Sequence, residues 1–263
     1  MVKAKKEDLE KIIKYLEADI PNCIYLYIDI TTYGVSNPKV VIWFDEDEKG
    51  LTMVAMRYFD SFQLYSDNDR WNKDELLLLL KENDVPMISA RQEIVKKIYN
   101  DLSDIYEVTY GSILQLTKYR KTGKTDMVRR ATEEDVPEIA KLMCDDEYYH
   151  DMYSQKALEA QLIDRMRTGM GRSFVIEEDG KIVAHDATFA ETPLFFVSSG
   201  FIVHKDYRSK YYDTIIEDYM VNELGKEGKA QYSFITDSRR EKLFRIMGNQ
   251  LVAKYGKLVK KQA

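Results

Sequence analysis

The chain lacks any long apolar run. Its longest leucine stretch, positions 76–80, lies inside a charged segment and falls far short of the ~18 apolar residues of a membrane span. No membrane partner is therefore expected. The first residues, Met1-Val2-Lys3-Ala4-Lys5-Lys6, lead into an amphipathic pattern with no apolar signal core, which predicts a cytoplasmic location. Cysteine is scarce. Cys23 and Cys144 are far apart and make no metal-ligand spacing, so two free thiols and no metal site are expected. With 12 glycines and 5 prolines in 263 residues, a long flexible linker or a low-complexity tract is excluded. Basic charge is not in excess either. The net charge of -6 argues against nucleic acid as a partner, because phosphate binding needs a basic field.

What is present suits a globular protein. Hydrophobic residues make up 44% and charged residues 32%, enough for a core and for solubility, in one large domain or two small ones. In the first half, Leu9, Ile12, Ile13 and Leu16 share one face of a helix expected over 6–19. Strands are expected over 23–30, 39–44, 51–59 and 61–65. A helix over 74–83, a short strand over 86–89 and a helix over 91–102 follow. A long strand over 106–119, bent near Gly111, completes the half. The segment Arg120-Lys121-Thr122-Gly123-Lys124-Thr125-Asp126 is polar and basic and reads as a boundary, giving domains 1–120 and 127–263.

The second half opens with a strand over 127–130. Either Thr132 or Asp135 caps the next helix, with Pro137 tolerated in its first turn. Helices are expected over 135–144 and 155–167. A hairpin over 173–178 and 181–190 turns at Asp179-Gly180, a pair that favours the primed turn. A strand over 195–204, a helix over 212–224, a strand over 231–236, a helix over 239–247 and a strand over 250–259 finish the chain. Both halves run helix, about three antiparallel strands, helix, strand, helix, strand. No residue-level repeat is visible, so the likeness is architectural, and a duplicated fold explains it economically. The expected class is α/β, with a mixed, mostly antiparallel sheet flanked by helices.

Three motifs of the second half carry a resemblance to a known family. Val128-Arg129-Arg130-Ala131-Thr132-Glu133-Glu134-Asp135 resembles the opening strand and cap of the GNAT superfamily, the general N-acetyltransferases. Phe174-Val175-Ile176-Glu177-Glu178-Asp179-Gly180-Lys181-Ile182-Val183-Ala184 resembles its central hairpin. Gly200-Phe201-Ile202-Val203-His204-Lys205-Asp206-Tyr207-Arg208 resembles its fourth strand and the approach to the cofactor turn. The whole chain resembles two-domain members, in which a GNAT-like first half without the cofactor motif precedes a working second half.

The resemblance implies direct transfer of an acyl group, normally acetyl from acetyl-CoA, to an amine of a small molecule or peptide. It implies that the fourth and fifth strands splay, leaving backbone near Ile202 and Val203 for pantetheine. It also implies that Arg208-Ser209-Lys210-Tyr211-Tyr212-Asp213 is the turn whose following helix start holds the pyrophosphate. The family writes this turn as Arg or Gln, two residues, Gly, one residue, then Gly or Ala, so that backbone amides can reach the phosphates. Here Arg208 and Lys210 survive, but Tyr211 and Asp213 stand at the two small positions. A steric and a charge obstacle to CoA are expected there. Many members also place a tyrosine in the last helix as general acid, four residues before a glycine. Phe244 holds that place before Gly248 and has no proton to donate.

Other residues have two readings each. Glu191 is a candidate general base or a surface loop glutamate. His185 in mid-strand is a packed core histidine or a base. Arg208 and Lys210 are phosphate ligands or solvated turn residues. His150, among Asp145, Asp146, Glu147 and Asp151, reads as part of a solvated acidic loop rather than a metal site, a loop that would suit a cationic substrate. In the first half, Ser66-Asp67-Asn68-Asp69-Arg70-Trp71 is acidic and glycine-free, so no CoA is expected there. Two function classes stay open: an N-acyltransferase, acting alone or as a homodimer, and a non-catalytic relative that keeps the fold for binding or assembly.

Overall fold

The structure is a computed structural model. It describes residues 1–38, 40–58, 61–116, 125–146, 149 and 154–261. Most of the boundary expected at 120–126 lies outside these, as do Glu147, His150 and Asp151. The chain forms two compact units. One comprises Met1–Leu114, Phe234–Met247 and Leu251–Ala263; the other comprises Gln115–Ser233 and Gly248–Gln250.

The first unit begins with β1 (Val2–Lys3) and α1 (Leu9–Glu17), whose Ile12 and Leu16 are fully buried. Next comes α2 (Ile20–Tyr33), where the sequence pattern predicts a strand over 23–30. Ile24, Leu26, Ile28 and Ile30 are all buried, so the segment is covered on most sides. A helix covered in this way has no amphipathic period, and a short apolar run cannot be told from a strand by pattern. Pro21 sits in its first turn, and the Thr31 hydroxyl donates back to the Tyr27 carbonyl at 2.8 Å. The strands β2 (Val40–Asp47), β3 (Gly50–Tyr58) and β4 (Ser61–Tyr65) form an antiparallel meander. Helix α3 (Lys73–Asn83) then crosses over to β5 (Met87–Arg91), which is parallel to β4. Helix α4 (Gln92–Leu102) buries Ile94, Val95, Ile98 and Leu102, and β6 (Tyr106–Leu116) follows. The core gathers Phe62, Leu64, Leu76, Leu80, Ile88 and Ile98.

The second unit repeats the order. It runs β7 (Val128–Arg130), α5 (Val136–Cys144), α6 (Gln155–Thr168), β8 (Ser173–Glu178), β9 (Lys181–Glu191), β10 (Phe195–Val203), α7 (Tyr212–Lys226) and β11 (Ala230–Ile235). Its strand order is β11-β10-β9-β8-β7. Both capping readings find a place: Thr132 caps a 3-10 turn, Glu133–Asp135, and Asp135 is the N-cap residue of α5. The Thr132 N–H donates to Asp135 Oδ2 at 2.7 Å, and Arg129 forks onto the same carboxylate with two 2.8 Å bonds. Asp179 and Gly180, with φ of 53° and 74°, make the left-handed pair that a primed turn requires. Side chains alternate along β8. Phe174 and Ile176 join Val203, Ile216 and Met220 beside α7, while Val175 joins Ile139, Leu158 and Ile202 beside α5 and α6.

The last two elements are α8 (Ser238–Ile246) and β12 (Gln250–Lys260). β12 pairs antiparallel with β5, from Tyr255 opposite Arg91 to Val259 opposite Met87. Gly256 presses on α4, since a Cβ there would sit 2.8 Å from the Val95 Cβ. The domain expected over 127–263 is thus divided, its final helix and strand grouping with the first unit. The sheet is mixed and mostly antiparallel, flanked by helices, as the expected class has it. Neither cysteine is in a disulfide. Among the described residues no helix is long and apolar enough to cross a membrane.

Candidate functional site

In the second unit β10 and β11 are parallel partners only from Phe195–Ala230 to Val197–Tyr232. From Ser198 to Val203 this edge of β10 has no β11 partner. A buried polar string marks the divergence: Gln231 Nε2 donates to Ser198 Oγ at 3.1 Å, and Ser198 Oγ lies 2.9 Å from Ser233 Oγ. On its other edge β10 carries a bulge. Ser199 pairs with Ala187 and Ile202 with His185, so Gly200 and Phe201 stand opposite Asp186. Gly200 has φ of 78°, which favours glycine. Ile202 and Val203 bury their side chains in the two opposite cores.

The turn after β10 has the backbone a glycine would adopt, without the glycine. Tyr211 has φ 59° and ψ 26° and is the N-cap of α7, with no side chain capping the helix. Its ring is 74% exposed. The matching helix of the first unit differs: Asn72 Oδ1 accepts from the N–H groups of Asp74 and Glu75 at 3.0 and 3.2 Å. So α3 is closed by its own side chain, whereas the start of α7 offers its N–H groups outward. Ser209 and Asp213 are exposed, and Tyr212 is buried.

The two cations of the turn are paired with carboxylates. Arg208 Nη2 donates to Asp146 Oδ2 at 2.8 Å, and Lys210 Nζ and the Tyr212 hydroxyl both donate to Glu178. Lys210 and Tyr212 together hold the Glu178 carboxyl below its ordinary range. The Arg208 and Lys210 side chains are 60% and 44% exposed, and pairs this wet are worth only about 0–1 kcal/mol.

Glu191 is not placed as a general base. Arg172 forks onto it at 2.8 and 2.6 Å, Lys229 Nζ donates at 2.8 Å and Thr188 Oγ1 at 2.7 Å. Burial alone would raise its pKa, but the bonds from Arg172, Lys229 and Thr188 prevail and lower it. A depressed, fully engaged carboxylate is a poor proton acceptor. The group ties three loops together, since Arg172 also grips Glu227. Phe244 lies in the first unit, in a small apolar cluster with Leu114 and Ile235.

His185 is fully buried, as a core histidine would be, but it is not fully satisfied. Its Nδ1 lies 2.7 Å from the Gly200 carbonyl, while Nε2 has no partner among the described residues. Burial outweighs that bond and pushes its pKa down to about 4. The ring walls a small cleft between the β9–β10 bulge and α5–α6, which sequence reasoning did not find. Two signals for it were present: a glycine inside an apolar strand and the polar pair His185-Asp186 inside another.

No protein-family sequence model matches the chain, and no curated protein matches it in sequence. Solved structures do match in shape. A Drosophila protein is similar over 98% of both chains, at 12% identity and a TM-score of 0.69. A GCN5-related N-acetyltransferase from Sphaerobacter thermophilus is similar over 98% of this chain and 94% of its own, at 12% identity and 0.65. A tandem GNAT protein from the clavulanic acid biosynthesis pathway is similar over 100% of this chain and 98% of its own, at 10% identity and 0.62. At such identities the likeness speaks for the fold: the chain has the fold of GNAT acetyltransferases, including a tandem one.

Proposed function

We propose that the second unit binds acyl-CoA and transfers its acyl group directly to an amine. The observation that carries this reading is the start of α7: a side-chain-uncapped helix end, behind a left-handed residue, flanked by Arg208 and Lys210 and following a strand that has parted from its neighbour. In this reading the N–H groups near Tyr212 and Asp213 and the side chains of Arg208 and Lys210 hold the pyrophosphate. The free edge of β10 from Ser198 to Val203 faces the pantetheine amides. The neutral amine attacks the thioester carbonyl; the C–N bond forms, the C–S bond breaks, and sulfur leaves with the electron pair. The amine's surplus proton passes to the thiolate, directly or through water. The first unit has no such role, because Asn72 already closes α3 and Asp67 and Asp69 lie before it.

Calorimetry with acetyl-CoA and with free CoA tests this. Both should bind, and Arg208→Ala should weaken both by about tenfold, about 1.4 kcal/mol, through loss of a charge-assisted contact. Absence of heat with either nucleotide at millimolar concentration would overturn it. A second reading, a GNAT-fold binding or assembly module without catalysis, is favoured by the locked Glu191 and the phenylalanine at 244. Thiol release from acetyl-CoA with a panel of amines separates the two: binding without turnover supports the module.

A further inference from the structure

We infer that the cleft at the β9–β10 bulge seats the amino group of the acceptor in its uncharged form, with His185 Nε2 accepting its N–H. The argument starts from the proton on the ring. A carbonyl oxygen only accepts, so at 2.7 Å from Gly200 it is Nδ1 that carries the hydrogen. Nε2 is then a bare lone pair, fully buried, with no donor among the described residues. A buried acceptor left without a donor is costly, and a fold that keeps one calls for an external donor. The cleft is the place for it. Its volume of about 30 Å³ has room for an amino or hydroxyl head.

The lining decides the charge of that head. Met143, Leu158 and Leu162 supply apolar walls, and Gln161 and Thr188 add neutral polar ones. Among the described lining residues there is no carboxylate, and the one formal charge is that of Arg165, whose guanidinium stacks 3.4 Å from the centre of the Phe189 ring. An ammonium head would meet a neutral imidazole, apolar walls and a like charge. A neutral amine would meet an acceptor that suits it. The bulge also links cleft and transfer site: Gly200 fixes the tautomer of His185, and the same stretch of β10 has the edge that β11 leaves. The substrate class is therefore amines uncharged at neutral pH, such as aromatic amines, rather than alkylammonium side chains. Only this identification of the donor as an acceptor amine rests on the acyltransfer reading.

The test uses no CoA, so it fails or succeeds separately from that reading. The full chain, labelled with ¹⁵N in its three histidines, is observed at neutral pH while aniline, neutral there, or benzylamine, a cation there, is added. The expected spectrum shows His185 with Nδ1 protonated and Nε2 bare. Aniline should move the Nε2 resonance upfield saturably, with an affinity at least about tenfold above that of benzylamine. Gln161→Trp, which fills the cleft from its rim, should abolish the shift with the melting temperature kept. A proton on Nε2, no response to aniline, an equal or stronger response to benzylamine, or a response that survives Gln161→Trp would each overturn the inference.

Discussion

Replacing Tyr211 by glycine tests how the turn before α7 is built. Tyrosine at φ 59° pays the left-handed penalty of about 1–2 kcal/mol that a Cβ incurs. Glycine removes it and adds about 0.5–1 kcal/mol of unfolded-chain entropy. The ring is 74% exposed, so little packing is lost. Tyr211→Gly should therefore stabilise by about 0.5 kcal/mol, raising the melting temperature by about 1–2 °C for a chain of this size. Sequence alone predicts the opposite sign, a loss on the order of 1 kcal/mol for glycine at a helix start, because it does not disclose that the backbone is already left-handed there. Asp213→Gly has no such compensation: residue 213 is helical, and its loss also removes a favourable dipole contact, together about 1–2 kcal/mol. The double variant should melt lower yet bind acetyl-CoA at least about tenfold tighter, about 1.4 kcal/mol, because a bulky side chain beside the helix start and a like charge are removed. Thermal melts and calorimetry read both effects. A fall of several degrees for Tyr211→Gly would refute the strain argument. Low-micromolar binding by the wild type, unchanged in the double variant, would refute the obstacle argument.

Further outcomes follow from other sites. Glu191→Ala should cost about 3 kcal/mol in urea melts, because Arg172 and Lys229 lose a buried partner; a general base would instead cost turnover and leave stability intact. His185 is neutral in the folded chain down to about 4 against an ordinary value of 6.5, so the unfolded chain takes up a proton first as pH falls. Stability should be full above 6.5 and decline towards about 4, by at most roughly 3 kcal/mol. Urea melts between pH 7 and 4.5 should show that slope and show it flattened in His185→Gln; equal slopes would refute the linkage. Gly256→Ala drives a methyl into the fully buried Val95 and should destabilise by about 1–3 kcal/mol, read by the same melts.

Most elements of the second unit were legible because each announces itself locally. Phe174 and Ile176 alternate with Val175, and Asp179-Gly180 names its own turn. Helix α2 was not, because burial on many sides erases the period that would have identified it. Arg208 and Lys210 were legible as turn cations, but their partners Asp146 and Glu178 come from elsewhere in the chain and carry no local mark. The same holds for Glu191, whose fate is set by Arg172 and Lys229. The unsatisfied nitrogen of His185 depends on a bulge in the neighbouring strand, and only the stray glycine at 200 hinted at it.

The position of β12 has a consequence for biosynthesis. β5 has β4 on one side, and its other side is filled by β12, which follows α8 far along the chain. At 5–20 residues per second that side stays bare for roughly ten to thirty seconds after β5 is made. Meanwhile nearly all of the second unit, up to Ser233, has been synthesised and can fold. Of the two units, the one begun first is thus completed last, and its waiting strand edge is an aggregation hazard until β12 arrives. A chain broken off before β12 would strike the first unit and spare most of the other.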